Sequence, residues 1–262
     1  MSADVPGRIA RELLIKDGRA ILDALPSTSD QNDAIHAARK AIRRMRALLA
    51  LVDGAPFVLD REDLALRGLG KGLSDLRDAH VVVETARRLQ AKSPGAGWDA
   101  VIEALELRRT RILQHSLAGD PGFSRRRQLV ERVLERIEAQ PWKDLRRGTV
   151  LKALDLSERR ASKAATRAKH DDTTEIVHRW RRKVRRLRMQ LDAADALGVL
   201  HGHGDGHAAL ERKGKALHRT SDRLGWSQDL GMLRNLVRNL PASDWKPEVL
   251  AVIDGELGAA GA

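Results

Sequence analysis

Apolar residues recur along this chain at three- and four-residue intervals from end to end, and nowhere do they alternate with polar ones over the length of a strand. That periodicity predicts helices near 7–25, 31–53, 60–91, 97–117, 123–139, 148–169, 173–197, 207–240 and 247–258. The intervals between them carry turn chemistry: Leu25-Pro-Ser-Thr-Ser29, Gly54-Ala-Pro56, Ser93-Pro-Gly-Ala-Gly97, Gly119-Asp-Pro-Gly122, Gln140-Pro141 and His201-Gly-His-Gly-Asp-Gly206. None is long enough to act as a flexible linker. The fold class is therefore read as all-α.

Two of these helices have polar faces unlike the rest. His36-Ala-Ala-Arg-Lys-Ala-Ile-Arg-Arg-Met-Arg46 and His178-Arg-Trp-Arg-Arg-Lys-Val-Arg-Arg-Leu-Arg188 each open with a histidine and contain no acid. At about 100° per residue, His36, Arg39, Lys40, Arg43, Arg44 and Arg46 fall within an arc of roughly 160°, with Ile35, Ile42, Met45 and Leu49 opposite. The second run sorts alike: His178, Arg181, Arg182, Arg185, Arg186 and Arg188 lie against Val177, Val184, Leu187 and Leu191. Solvated helix faces ordinarily mix signs, because like charges at i,i+4 destabilise a helix by about 0.2–0.5 kcal/mol. A chain that accepts such repulsion twice is expected to meet a polyanion that relieves it.

The repeat extends beyond charge. Leu73-Ser-Asp-Leu-Arg-Asp78 is matched by Leu224-Gly-Trp-Ser-Gln-Asp229, each followed by an apolar stretch. The offset is nine residues larger than that between the histidines, which an insertion in the glycine- and histidine-rich segment 198–207 accounts for. The chain reads as one domain over 1–262 built by internal duplication, with a first helical half at 1–120 and a second at 121–262, joined at the Gly119–Gly122 turn.

Composition narrows the function. Lys and Arg number 48 against 36 Asp and Glu, a formal net charge of +12, which favours acidic partners. With no cysteine, disulfides, thiolate nucleophiles and Cys-ligated zinc are excluded. The N-terminal segment lacks an apolar signal core, and no stretch approaches the roughly 18 apolar residues of a membrane span. We therefore expect a soluble, cytoplasmic protein with no membrane partner.

The doubled motif resembles the CHAD domain family, named for a histidine-containing α-helical domain, whose pattern is similar to His-x-x-Arg-x-x-x-Arg-Arg-Leu-Arg near the start of each half, followed by Leu-Gly-x-x-x-Asp. Met45 replaces the leucine in the first copy, and Ser74 stands where the first Leu-Gly would be. The resemblance spans essentially the whole chain. It implies two four-helix bundles related by pseudo-twofold symmetry, with the basic helices lining a groove or pore. It also implies binding of inorganic polyphosphate and association with polyphosphate granules. The expected ligand-binding residues are His36, Arg39, Lys40, Arg43, Arg44, Arg46, His178, Arg181, Arg182, Arg185, Arg186 and Arg188, with Lys71 adding to the groove. At about 1.5 Å rise per residue each run spans roughly 15 Å, which suits a linear polyanion, and guanidinium forks grip phosphate oxygens bidentately.

Other classes fit less well. Nucleic acid is the alternative ligand, since phosphate-tracking arginines serve it equally. Aromatic residues amount to only 3%, however, with no tyrosine, and Trp180 projects to the apolar side of its helix, so base stacking is poorly provided for. His201, His203, Asp205 and His207 could hold a metal weakly, but a glycine-rich loop gives poor coordination geometry. Gly68-Leu-Gly-Lys-Gly72 lacks the spacing and the preceding strand of a phosphate loop. No catalytic constellation emerges, so we expect a non-catalytic binding module without cofactor or metal.

Overall fold

The computed structural model describes residues 5–25, 31–95, 97–171, 173–200 and 206–261. Ten α-helices account for nearly all of them: α1 (Val5–Ala24), α2 (Gln31–Val52), α3 (Asp60–Gly72), α4 (Ser74–Lys92), α5 (Trp98–Gly119), α6 (Ser124–Glu138), α7 (Arg147–His170), α8 (Thr174–Ala196), α9 (Gly206–Arg238) and α10 (Lys246–Gly261). Single 3₁₀ turns lie at Pro121–Phe123 and Trp142–Asp144. Among the described residues there is no strand, and the all-α reading stands.

One predicted helix is two. The span read as 60–91 divides at Leu73, whose backbone (φ −101°, ψ 2°) leaves the α region between α3 and α4. Gly68, Gly70 and Gly72 precede the break, and each costs a helix interior about 1 kcal/mol relative to alanine. Leu73 itself is fully buried.

The chain forms two compact units, each assembled from non-adjacent segments. The first runs to Leu73 and resumes over Gly122–Ser221, so it holds α1–α3, α6–α8 and the start of α9. Its centre is α2, which packs against α1, α3, α7 and α8. Ten residues of α2 are buried, Ile35, Ile42, Met45 and Leu49 among them, so the expected apolar stripe is the core stripe. Close approach at two glycines brings α1 against its neighbours. A Cβ on Gly18 would lie 2.3 Å from Leu134 of α6, and one on Gly7 would lie 1.8 Å from the Trp142 carbonyl oxygen. Trp142 donates from Nε1 to the Ile137 carbonyl at 2.6 Å, and its ring meets Phe57 with centroids 5.2 Å apart.

The second unit comprises Ser74–Pro121 and the residues from Asp222 onward. Val82, Val83, Ala86 and Leu89 of α4, Trp98, Val101 and Leu105 of α5, Leu230, Leu233 and Val237 of α9, and Val249 and Ile253 of α10 make its core. Arg88 lies over the Trp226 ring, 4.2 Å from its centroid, and Arg234 pairs with Asp254. Each unit thus draws helices from both halves of the sequence.

Candidate functional site

Both acid-free runs sit inside long helices of the first unit, the earlier in α2 and the later in α8, and the two helices pack on each other. Gln190 of α8, fully buried, donates from Nε2 to the Ala47 carbonyl of α2 at 3.3 Å. Ala47 and Met189 occupy the same offset from the two histidines, and both are buried. On the helical wheel that offset lies near the middle of the cationic arc, so the arc is not one open face at its C-terminal end. The contact divides the cations of each helix into two flanks.

Arg39, Arg43 and Arg46 on α2, and Arg181, Arg185 and Arg188 at the matching offsets of α8, are all half-buried. Here α3 and α9 supply partners. Arg39 Nη1 donates to the Gly70 carbonyl at 2.6 Å, and Arg46 forms a bidentate pair with Asp63, Nε to Oδ1 at 2.8 Å and Nη2 to Oδ2 at 3.0 Å. Arg188 Nη1 meets His218 Nδ1 of α9 at 2.8 Å. His36, Arg43, His178, Arg181 and Arg185 are likewise half-buried and engaged by other groups of the protein. Lys71, exposed at the end of α3, neighbours the carbonyl that Arg39 grips.

The surroundings of Arg44 and Arg186, which hold matching offsets, differ between the copies. Arg44 donates from Nε to both Asp17 oxygens, at 2.9 and 3.1 Å, and Nη2 contacts the same carboxylate. Arg186, at the matching position of α8, is pushed below the ordinary guanidinium range by burial, by Arg46 and by Arg160, with Asp63 opposing. Lys183 is lowered as well, by burial first and then by Arg160, Arg186, Arg179 and Arg182. Lys40 and Arg182 are both exposed. Beside this cluster a cleft of about 490 Å³ runs between α7 and Arg186 on one side and the end of α2 and start of α3 on the other.

The arginines are visible as a pattern in the sequence, and the groups that hold them are not. Asp17, Asp63 and His218 set the direction of three predicted ligand-binding side chains, and Arg160 of α7 joins the cationic cluster from outside the repeated runs. His201, His203 and Asp205 lie outside the described residues. Among the described residues no three acidic or histidine side chains are grouped to hold a metal ion, and no helix is long and apolar enough to cross a membrane.

In chemical terms the site can bind anions. Arginines keep their charge at any accessible pH, and these are anchored on helices whose opposite faces are core, so little ordering remains to be done on binding.

A family model for the CHAD domain matches residues 12–238. The fold is similar to the crystal structure of the CHAD domain from the plant Ricinus communis, with TM-score 0.66, 20% identity, and 99% of this chain and 85% of that chain covered. It is also similar to PptA from Streptomyces chartreusis, with TM-score 0.63, 18% identity, and 97% and 96% of the two chains covered. At these identities the likeness speaks for the fold alone. No curated protein matches the chain.

Proposed function

The chain belongs to the CHAD domain family, a family related to polyphosphate, and from that premise we propose that it is a non-catalytic module that binds inorganic polyphosphate through the cationic flanks of α2 and α8. The observation that carries the reading is the packing of the two acid-free helices on one another inside one compact unit. Cations that repel one another stay half-buried there, and a ligand with one negative charge per unit neutralises several at once. Arg39, Arg43, Arg181 and Arg185 are the inner contacts, and Lys40, Lys71 and Arg182 are exposed outer ones. Arg44 and Arg46 already hold carboxylates, so in this reading they orient the site and stiffen α2 more than they contact the chain.

A polymer captured in this way would bring the protein to polyphosphate granules in the cytoplasm. The reading needs no catalytic group: in it the arginines and histidines bind and orient.

Competition tests the proposal. The full chain is titrated with long-chain polyphosphate and, in parallel, with single- and double-stranded nucleic acids at near-physiological salt. Polyphosphate is expected to displace either nucleic acid at equal concentration of phosphate units. Tighter binding to nucleic acid would replace this reading with that of a phosphate-backbone binder.

A further inference from the structure

The two copies of the repeated helix pair have diverged where α1 meets α2 and α7 meets α8. In the first copy α1 offers Asp17, and Arg44 is spent on it. In the second, the residue 142 positions on from Asp17 is Arg159, which pairs with Asp155, and it is Arg160 beside it that bears on Arg186. Helix α7 packs on α8 as α1 packs on α2, yet it brings Arg160 towards Arg186 where α1 brings a carboxylate to Arg44. Arg160 and Arg186 line one cleft, and Lys183 lies within electrostatic reach of both.

The acids of α7 and of the start of α8 do not cancel this charge. Asp155 pairs with Arg159, Glu158 with Lys213 and Glu175 with Arg179. Among the described residues the one carboxylate that bears on Arg186 is Asp63, and Arg46 holds both of its oxygens. Three cations, two of them half-buried, are therefore gathered with a deficit of negative charge, an arrangement that raises the free energy of the empty protein and lowers that of an anion complex.

We infer that Arg160, Lys183 and Arg186 form an anion subsite, present in the second copy alone, that takes the terminal phosphate units of a polyphosphate or a short chain whole. The inference rests on the polyphosphate reading above. The preference for an end follows from the adjoining cleft. Its α7 side carries Lys152, Ser157 and Arg160, whereas the facing wall carries Asp53, Asp60 and Asp63. A chain laid along the cleft would meet those carboxylates over its length. An end reaching in from the α7–α8 side meets the cations first and stops short of them.

The probe is linear tripolyphosphate, titrated calorimetrically into the full chain beside long-chain polyphosphate at matched phosphate-unit concentration. Two double variants carry the comparison: Arg160→Gln with Lys183→Gln, and Arg132→Gln with Arg159→Gln, which removes the same charge from exposed positions outside the cluster. The first pair is expected to lose tripolyphosphate affinity about tenfold or more, as one or two charge-assisted contacts imply. The control pair should lose less than about twofold, the scale of exposed charges. Equal losses in the two pairs, or no loss in the first, overturn the subsite; long-chain binding by the wild type then leaves the polyphosphate reading standing. A wild type that binds no chain of any length overturns that reading instead. A second measurement on the unmutated protein guards against misfolding. Tripolyphosphate should slow acylation of Lys183 by an amine-reactive ester more than that of Lys169, followed by peptide mass spectrometry, and equal protection of both lysines counts against the subsite.

Discussion

Arg44 and Arg186 hold matching positions in the two acid-free runs, yet Asp17 clasps the first and Arg160 crowds the second. The difference rests on single residues, and so do two predictions. Glu62 is 2% exposed and accepts from Arg136 Nε at 2.5 Å, linking α3 to α6. Arg136→Ala should strand that carboxylate and destabilise the protein by roughly 2 kcal/mol in urea unfolding, less than the 3–5 of a fully buried pair because Arg136 is about a third exposed. His80 is a different case. Burial holds its imidazole below the usual 6.5, Arg77 and Arg109 act in the same direction, and Glu84 opposes them. Nε2 faces Glu84 Oε2 at 3.2 Å, and Nδ1 is buried with no hydrogen-bond partner. Because the unfolded chain then binds the proton more readily, this contribution to stability is present above about pH 6.5 and is lost as pH falls through the lower folded value. Between pH 7.5 and 5 the urea midpoint of His80→Gln should therefore drop less than that of the wild type. The distant partners could not be read from the sequence. Arg46 and Asp63 are separated by 17 positions, Arg44 and Asp17 by 27, and Arg136 and Glu62 by 74, so the cations were legible as a pattern and their neutralisation was not.

At the level of helices, periodicity located nearly every element and ran straight through one break. Leu66, Leu69, Leu73 and Leu76 keep helical spacing across the α3–α4 junction, and all four are buried, so the apolar signal is continuous where the backbone is not. The alternating glycines before Leu73 were the visible warning, but glycine alone does not tell a helix end from a close contact. Gly18 and Gly68 both sit within helices. A Cβ on Gly68 would meet nothing within 4 Å, and one on Gly18 would strike the Leu134 side chain. Gly68→Ala should accordingly raise stability by about 0.5–1 kcal/mol. Gly18→Ala should lower it by about 1–3 kcal/mol, because α1 and α6 must move apart or Leu134 must leave its rotamer. Urea midpoints for the two variants, moving in opposite directions, would separate the two uses of one residue type.

Across the molecule, the repeated motifs follow one another along the sequence, while each compact unit is assembled from two separate stretches of chain. The Gln190–Ala47 hydrogen bond spans 143 positions, a distance over which local pattern carries no information. What does survive at this scale is charge. A formal net charge of +12 draws any polyanion towards the protein from beyond contact range, and that attraction alone predicts that all arginines count alike. An organised site predicts otherwise. Arg43→Glu with Arg185→Glu and Arg87→Glu with Arg132→Glu change the net charge by the same amount, but the first pair lies half-buried on α2 and α8 and the second is exposed. If α2 and α8 form the polyphosphate site, the first reversal should weaken binding by about a hundredfold or more and flatten the dependence of log affinity on log salt. The second should shift affinity by less than about fivefold, with the slope nearly kept. Equal effects of the two reversals would mean that the field of the whole molecule, and not the paired helices, holds the polymer.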